Sequence, residues 1–249
     1  MLKRNQFLIM SACAALAVAG CKQSDAPADG DKEAKAEKVA WGYGAEDGPA
    51  KWGDLSEDYA TCKTGTVQSP VDLPAVDAAK TIKVTGNYGS ASAEVENDGH
   101  GVKASFGEGF TLTSGENTYD MLQFHYHTPS ENKIAGKAFP MTAHLVHSDK
   151  DGNLAVLGVM FEEGEANAQV QAVIDNIGKK VDIDVAAMLP SDMTVYNFKG
   201  SLTTPPCSEG VNWHVLTTPV TASKEQIAAL NKIMGDNARP VQPMNDRAI

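Results

Sequence analysis

Four of the chain's six histidines fall between positions 125 and 147, in Gln123-Phe124-His125-Tyr126-His127 and Ala143-His144-Leu145-Val146-His147. Successive side chains on a β-strand point to opposite faces. His125 and His127 therefore project from one face, about 6.5 Å apart at the backbone, and two imidazoles so placed can meet one metal ion. His144 lies in a second apolar run of alternating character, which as a neighbouring strand brings a third imidazole to the same point. Three neutral nitrogen ligands leave a tetrahedral Zn²⁺ with one open position, the feature that separates a catalytic zinc site from a structural one. His147 and His214 are read as structural, because the ligand set is complete without them.

The elements that must hold these rings are mostly strands. Alternation predicts them over 81–86, 92–97, 101–106, 109–114, 118–127, 140–148, 154–162, 193–199 and 211–216, with turns at Asn97-Asp98-Gly99, Ser114-Gly115 and Asp151-Gly152-Asn153. Two segments read as helices. Residues 166–176 carry Val170, Val173 and Ile174 at helical spacing, continued by Ile177 just beyond, and 223–234 opens on a Ser-Lys-Glu-Gln capping box and stops at Gly235. Many strands with few crossover helices predict an α+β, mainly β fold built on a largely antiparallel sheet.

Gln123 to Asn132, the Ala143–His147 run and Ser201-Leu202-Thr203-Thr204-Pro205-Pro206-Cys207 resemble the α-class carbonic anhydrases, in that order and at that family's spacing. Trp41-Gly42-Tyr43-Gly44, Gln68-Ser69-Pro70, Asn97-Asp98-Gly99-His100 and Asn237-Ala238-Arg239-Pro240 extend the resemblance over nearly the whole of residues 40–249, read as one domain. It implies one large twisted sheet with short peripheral helices. It also implies reversible hydration of carbon dioxide to bicarbonate and a proton by a zinc-bound hydroxide, with side hydrolysis of activated esters.

The resemblance also assigns roles. His125, His127 and His144 hold Zn²⁺. Val146, Val156, Leu202, Thr204, Val211 and Trp213 surround an uncharged substrate that has no hydrogen-bond donor. Thr203 and Glu131 orient the nucleophile: the hydroxyl gives its proton to the carboxylate and so accepts one from the attacking oxygen. His100 shuttles the proton to buffer, a role suited to imidazole, with Tyr43 and Asp98 ordering the intervening waters. Gln123 orients His125, and a backbone carbonyl near Asn237 orients His127. The chain departs from the family at Thr142, where the pattern has Glu as the partner of His144.

Residues 1–20 combine Lys3 and Arg4, an apolar run and Val18-Ala19-Gly20 before Cys21, which reads as a signal peptide ending in a bacterial lipobox. Cleavage before Cys21 and its acylation would make an exported lipoprotein, periplasmic or cell-surface, with the outer membrane favoured because Lys22 is no aspartate-type retention signal. Several acyl chains on one residue would hold it firmly to a membrane. Residues 22–38 lack aromatic residues and read as a flexible tether. Loss of Lys3 and Arg4 takes the formal charge from −11 to −13, which argues against nucleic acid as a partner. Cys62 and Cys207 remain in the domain and are expected as a disulfide in an oxidising compartment, with two unpaired thiols as the alternative. Two rival functions are a non-catalytic binding module on the same fold and a zinc-storage lipoprotein. A full ligand set argues against the first, and Thr203, Glu131 and His100 together argue against the second.

Overall fold

The computed structural model describes residues 39–249, so the expected signal peptide, the Cys21 anchor and the tether up to Lys38 lie outside the described residues. In chain order the strands are β1 (Asp72–Leu73), β2 (Ile82–Lys83), β3 (Thr85–Asn87), β4 (Ser90–Asn97), β5 (Val102–Ser105), β6 (Thr111–Ser114) and β7 (Asn117–His127). They continue with β8 (Lys133–Ile134), β9 (Met141–Ser148), β10 (Leu154–Glu163), β11 (Lys179–Asp184), β12 (Thr194–Ser201), β13 (Glu209–Leu216) and β14 (Val220–Ala222). The helices α1 (Trp52–Leu55), α2 (Thr61–Thr64), α3 (Ala168–Asp175) and α4 (Lys224–Met234) are short. No helix among the described residues is long and apolar enough to cross a membrane.

Twelve strands form one mixed sheet whose main path runs β11-β4-β5-β7-β9-β10-β13-β12-β2, and β1 and β8 make a separate parallel pair. Most pairings are antiparallel, as expected. The exceptions in the large sheet are both made by β10, which runs parallel to β13 and to β14. β10 is buried along nearly its whole length, because both faces of the sheet are covered there. One face carries a core with Phe124, Leu145, Leu157 and Phe161. The other carries a second core with Val156, Met160, Val211 and Trp213.

Several expected boundaries need correction. The run 81–86 is two strands that part at Val84, β2 pairing with β12 and β3 with β6. The helix expected over 166–176 is α3, which begins only after Asn167, whose side chain accepts from the N–H groups of Gln169 and Val170, and ends before Ile177. In α4 the capping box is formed as expected, Ser223 and Gln226 exchanging side-chain bonds with each other's N–H, and Ile227 and Leu230 are buried while Ile233 is exposed.

A bulge in β7 decides which face carries the site. Met121 pairs with His147 and Gln123 with Val146, so Leu122 is an extra residue, and its side chain is exposed. The insertion turns Gln123, His125 and His127 to the face opposite Met121. His147 stays on the far face with Met121, its Nε2 2.9 Å from the Tyr88 hydroxyl; His214 Nε2 lies 2.9 Å from Ser114 Oγ.

Burial pushes the imidazoles of His147 and His214 down from 6.5 to about 4. Between these values the unfolded chain binds protons that the native rings refuse. Stability is therefore expected to fall as pH drops from 6.5 to 4, by up to about 1.4 kcal/mol per pH unit for each ring. Urea unfolding from pH 7 to 4.5 measures this, and a flat profile would contradict it.

Candidate metal centre

Pairing of β7 with β9 sets His125 across from His144 and His127 across from Thr142. The ligand nitrogens that His125, His127 and His144 can offer all lie within 4.8 Å of one another. His125 Nδ1–H donates to Gln123 Oε1 at 2.9 Å, and His127 Nδ1–H to the Asn237 carbonyl at 2.7 Å. Each bond places the proton on Nδ1 and leaves the Nε2 lone pair for an ion. His144 turns its Nδ1 to the same place: that atom is 3.7 Å from Glu131 Oε2, which is itself 3.5 Å from His127 Nε2. Burial, with the neighbouring imidazoles, holds His125 and His144 well below the ordinary histidine range. Neutral imidazole is the form that binds metal. Three neutral nitrogens converging from two strands fit a Zn²⁺ ion with an open position.

Glu131 is buried behind this point. Arg239 N–H donates to its Oε1 at 2.8 Å, and the Arg239 guanidinium donates to Gln68 Oε1 and to the carbonyls of Ser69 and Cys62. Burial pushes the Glu131 carboxyl up, while His127, the Thr203 hydroxyl and the Arg239 N–H pull the other way. Thr203, also buried, faces the carboxylate without closing a hydrogen bond to Oε2.

Cys62 and Cys207 are bonded, S–S 2.04 Å, across a separation of 145 residues. Cys207 N–H donates to the Thr204 carbonyl, and Cys207 O accepts from Gln68 Nε2. The bridge thus joins the turn carrying Thr203 and Thr204 to the N-terminal segment and to the partners of Arg239.

A cavity of about 200 Å³ opens over the rings, with Trp41, Tyr43, His100, Gln123, His125 and Thr204 in its wall. His100 stacks on the Trp41 indole at 3.7 Å between centroids, and its Nε2–H donates to the Trp41 carbonyl at 3.0 Å. The turn beneath it needs Gly99, at φ +88°. Asp98 is committed to that turn, its Oδ1 accepting from the N–H groups of His100 and Gly101. Lys103, also in the wall, lies 2.9 Å from Glu96 and 3.9 Å from Asp98.

Of the residues expected around substrate, Thr204 lines the cavity and the other five lie in the apolar cluster behind His144. Register explains this. Val146 pairs with Val156 and Val156 with Trp213, so the three stand side by side on one face, and the Trp213 ring is 4.9 Å from that of His144. Gln123 and the Asn237 carbonyl are where the sequence places them. Thr142 is fully buried but does not reach His144, because its hydroxyl donates to the Val159 carbonyl at 3.0 Å. The sequence assigns no role to Arg239 or Lys103; the motif around Arg239 is visible in it, but the contact with Glu131, 108 residues away, is not.

A three-histidine cluster able to hold one metal ion, at the foot of a cavity on a large β-sheet, is the arrangement of a mononuclear metal centre. Residues 47–249 match the eukaryotic-type carbonic anhydrase family. The chain is 41% identical to a carbonic anhydrase of Pectobacterium carotovorum over 222 residues, 86% of this chain and 91% of that protein. The α-carbonic anhydrase of Thermovibrio ammonificans, solved with sulfanilamide, superposes with a TM-score of 0.78 at 40% identity, covering 85% of this chain and 99% of that one. A hyperthermostable carbonic anhydrase from a hydrothermal vent chimney matches at 44% identity, with a TM-score of 0.78 over 84% of this chain and 98% of that one. The chain belongs to the eukaryotic-type, or α-class, carbonic anhydrase family.

Proposed function

We propose that this enzyme hydrates carbon dioxide reversibly with Zn²⁺ held by His125, His127 and His144. The observation that carries the reading is the convergence of the three ligand nitrogens within 4.8 Å, with the protons of two rings fixed by Gln123 and Asn237. When bound, Zn²⁺ would act as a Lewis acid and make a nucleophilic oxygen available near neutral pH, an effect for which carbonic anhydrase is itself the standard example.

The protein's own groups do the rest. Val146, Val156, Leu202, Val211 and Trp213 offer an apolar wall to an uncharged substrate, with Thr204 beside it. Thr203 turns its proton to Glu131 and so accepts one from the attacking oxygen, which selects an oxygen that still carries a proton. Arg239 N–H holds the other oxygen of Glu131 in place. His100, in the wall of the same cavity, passes a proton between cavity water and buffer, and Tyr43 helps order that water. Slow hydrolysis of activated esters belongs to the same reading.

Residues 1–21 further indicate an exported lipoprotein anchored through Cys21. The Cys62–Cys207 bond supports export, since such bonds persist in oxidising compartments.

The test is carbon dioxide hydration by the purified protein, with zinc content measured in parallel. About one zinc per chain is expected, with activity lost on chelation and regained when zinc is added back. A zinc-loaded protein without hydration activity would sink the reading.

A further inference from the structure

The three imidazoles are not equally braced. His125 and His127 each give their second ring proton to an acceptor. His144 turns Nδ1 towards the other two rings, which leaves Nε2 facing the protein interior, buried and without a hydrogen-bond partner. Thr142 shares that face of β9 and is fully buried, yet its one proton goes to the Val159 carbonyl and its oxygen closes no bond with the ring. Asn132 Nδ2 is another buried group without a partner, but it is a donor and cannot serve another donor.

A neutral histidine that ligates through Nδ1 carries its proton on Nε2. Coordination draws electron density from the ring and strengthens that N–H as a donor. An acceptor there stabilises the bound state and fixes the plane of the ring; without one, orientation rests on packing alone. For His144 the ring packing is His127, tilted, at 4.7 Å between centroids, with Trp213 at 4.9 Å and His125 at 5.5 Å edge-on.

We propose that His144 is the labile arm of the metal site, the first ligand to let go, so that Zn²⁺ leaves this protein faster than a braced third imidazole would permit. The inference rests on the zinc reading above and concerns exchange of the ion rather than its catalysis. The determining feature is what Thr142 does not supply.

Zinc release into excess chromogenic chelator reads this directly, on the zinc-loaded protein and its variants. Thr142→Glu places an acceptor beside Nε2 and is expected to slow release roughly 10- to 100-fold, the range typical of such partners. Thr142→Val removes a hydroxyl already spent on Val159 and is expected to leave the rate within about two-fold. Gln123→Ala strips the brace from His125 and is expected to speed release by roughly the same 10- to 100-fold.

A folded Thr142→Glu variant that releases zinc no more slowly overturns the inference, and so does a Thr142→Val variant that releases it about ten times faster. Should the buried glutamate prevent folding, the other two variants decide: an unchanged rate for Gln123→Ala would show that bracing does not govern release. Natural protein with no affinity for zinc would remove the carbonic anhydrase mechanism as well. Zinc-loaded, active protein with the wrong variant rates removes only this inference.

Discussion

Alanine at His127 is expected to abolish metal binding and carbon dioxide hydration together while leaving the chain folded. His127 is the most tightly held of the three rings, at 2.7 Å from the Asn237 carbonyl, and two nitrogens on their own cannot make the tetrahedral set. The loss in activity should exceed the roughly 100-fold seen when only a supporting partner is removed, because here the ligand itself goes. The frame survives because Phe124, Tyr126 and Leu145, which carry the packing of β7 and β9, face the opposite core. Zinc analysis, hydration rate and far-ultraviolet circular dichroism on one preparation check all three parts. A folded variant that keeps a full complement of zinc and more than a tenth of the activity would refute the assignment.

The convergence of His125, His127 and His144 is legible because its geometry is local. His125 and His127 depend only on the two-residue period of a strand, and His144 on the neighbouring strand lying in register. The disulfide was legible for a different reason: once residues 1–21 are set aside, Cys62 and Cys207 are the only cysteines left to pair.

What escaped depends on distant parts of the chain. The bulge at Leu122 has no mark in the sequence, since one exposed leucine in an apolar run looks like any other, yet it decides which face receives Gln123. β11 is not among the expected strands because Lys179, Lys180, Asp182 and Asp184 obscure the alternation of Val181 and Ile183. Those charges suit a strand at the edge of the sheet, where they discourage pairing with another chain. Arg239 was visible as part of a motif and mute as to role, because its partners Gln68, Ser69, Cys62 and Glu131 meet only in the folded chain.

That convergence on Glu131 makes Glu131→Gln the sharpest test of the nucleophile-orienting pair. The substitution preserves shape, and the amide oxygen can still accept the Arg239 N–H that now reaches Oε1 at 2.8 Å. The nitrogen then takes the place of Oε2, on the side of His127 and His144. In the proposed pair a carboxylate oxygen there takes the Thr203 proton; an amide NH₂ can only donate. Thr203 must then accept from residue 131, and its proton swings towards the attacking oxygen, repelling the N–H or O–H donor it was placed to receive. Removal of one such preorganised hydrogen bond costs roughly 10²- to 10³-fold in kcat. The loss is expected there, with zinc stoichiometry unchanged, because no ligand is touched. Thr203→Ala breaks the same chain at its other end, so the double variant should lose little more than either single one. Full activity in Glu131→Gln, or losses that multiply in the double variant, would show that the two residues do not act as a pair.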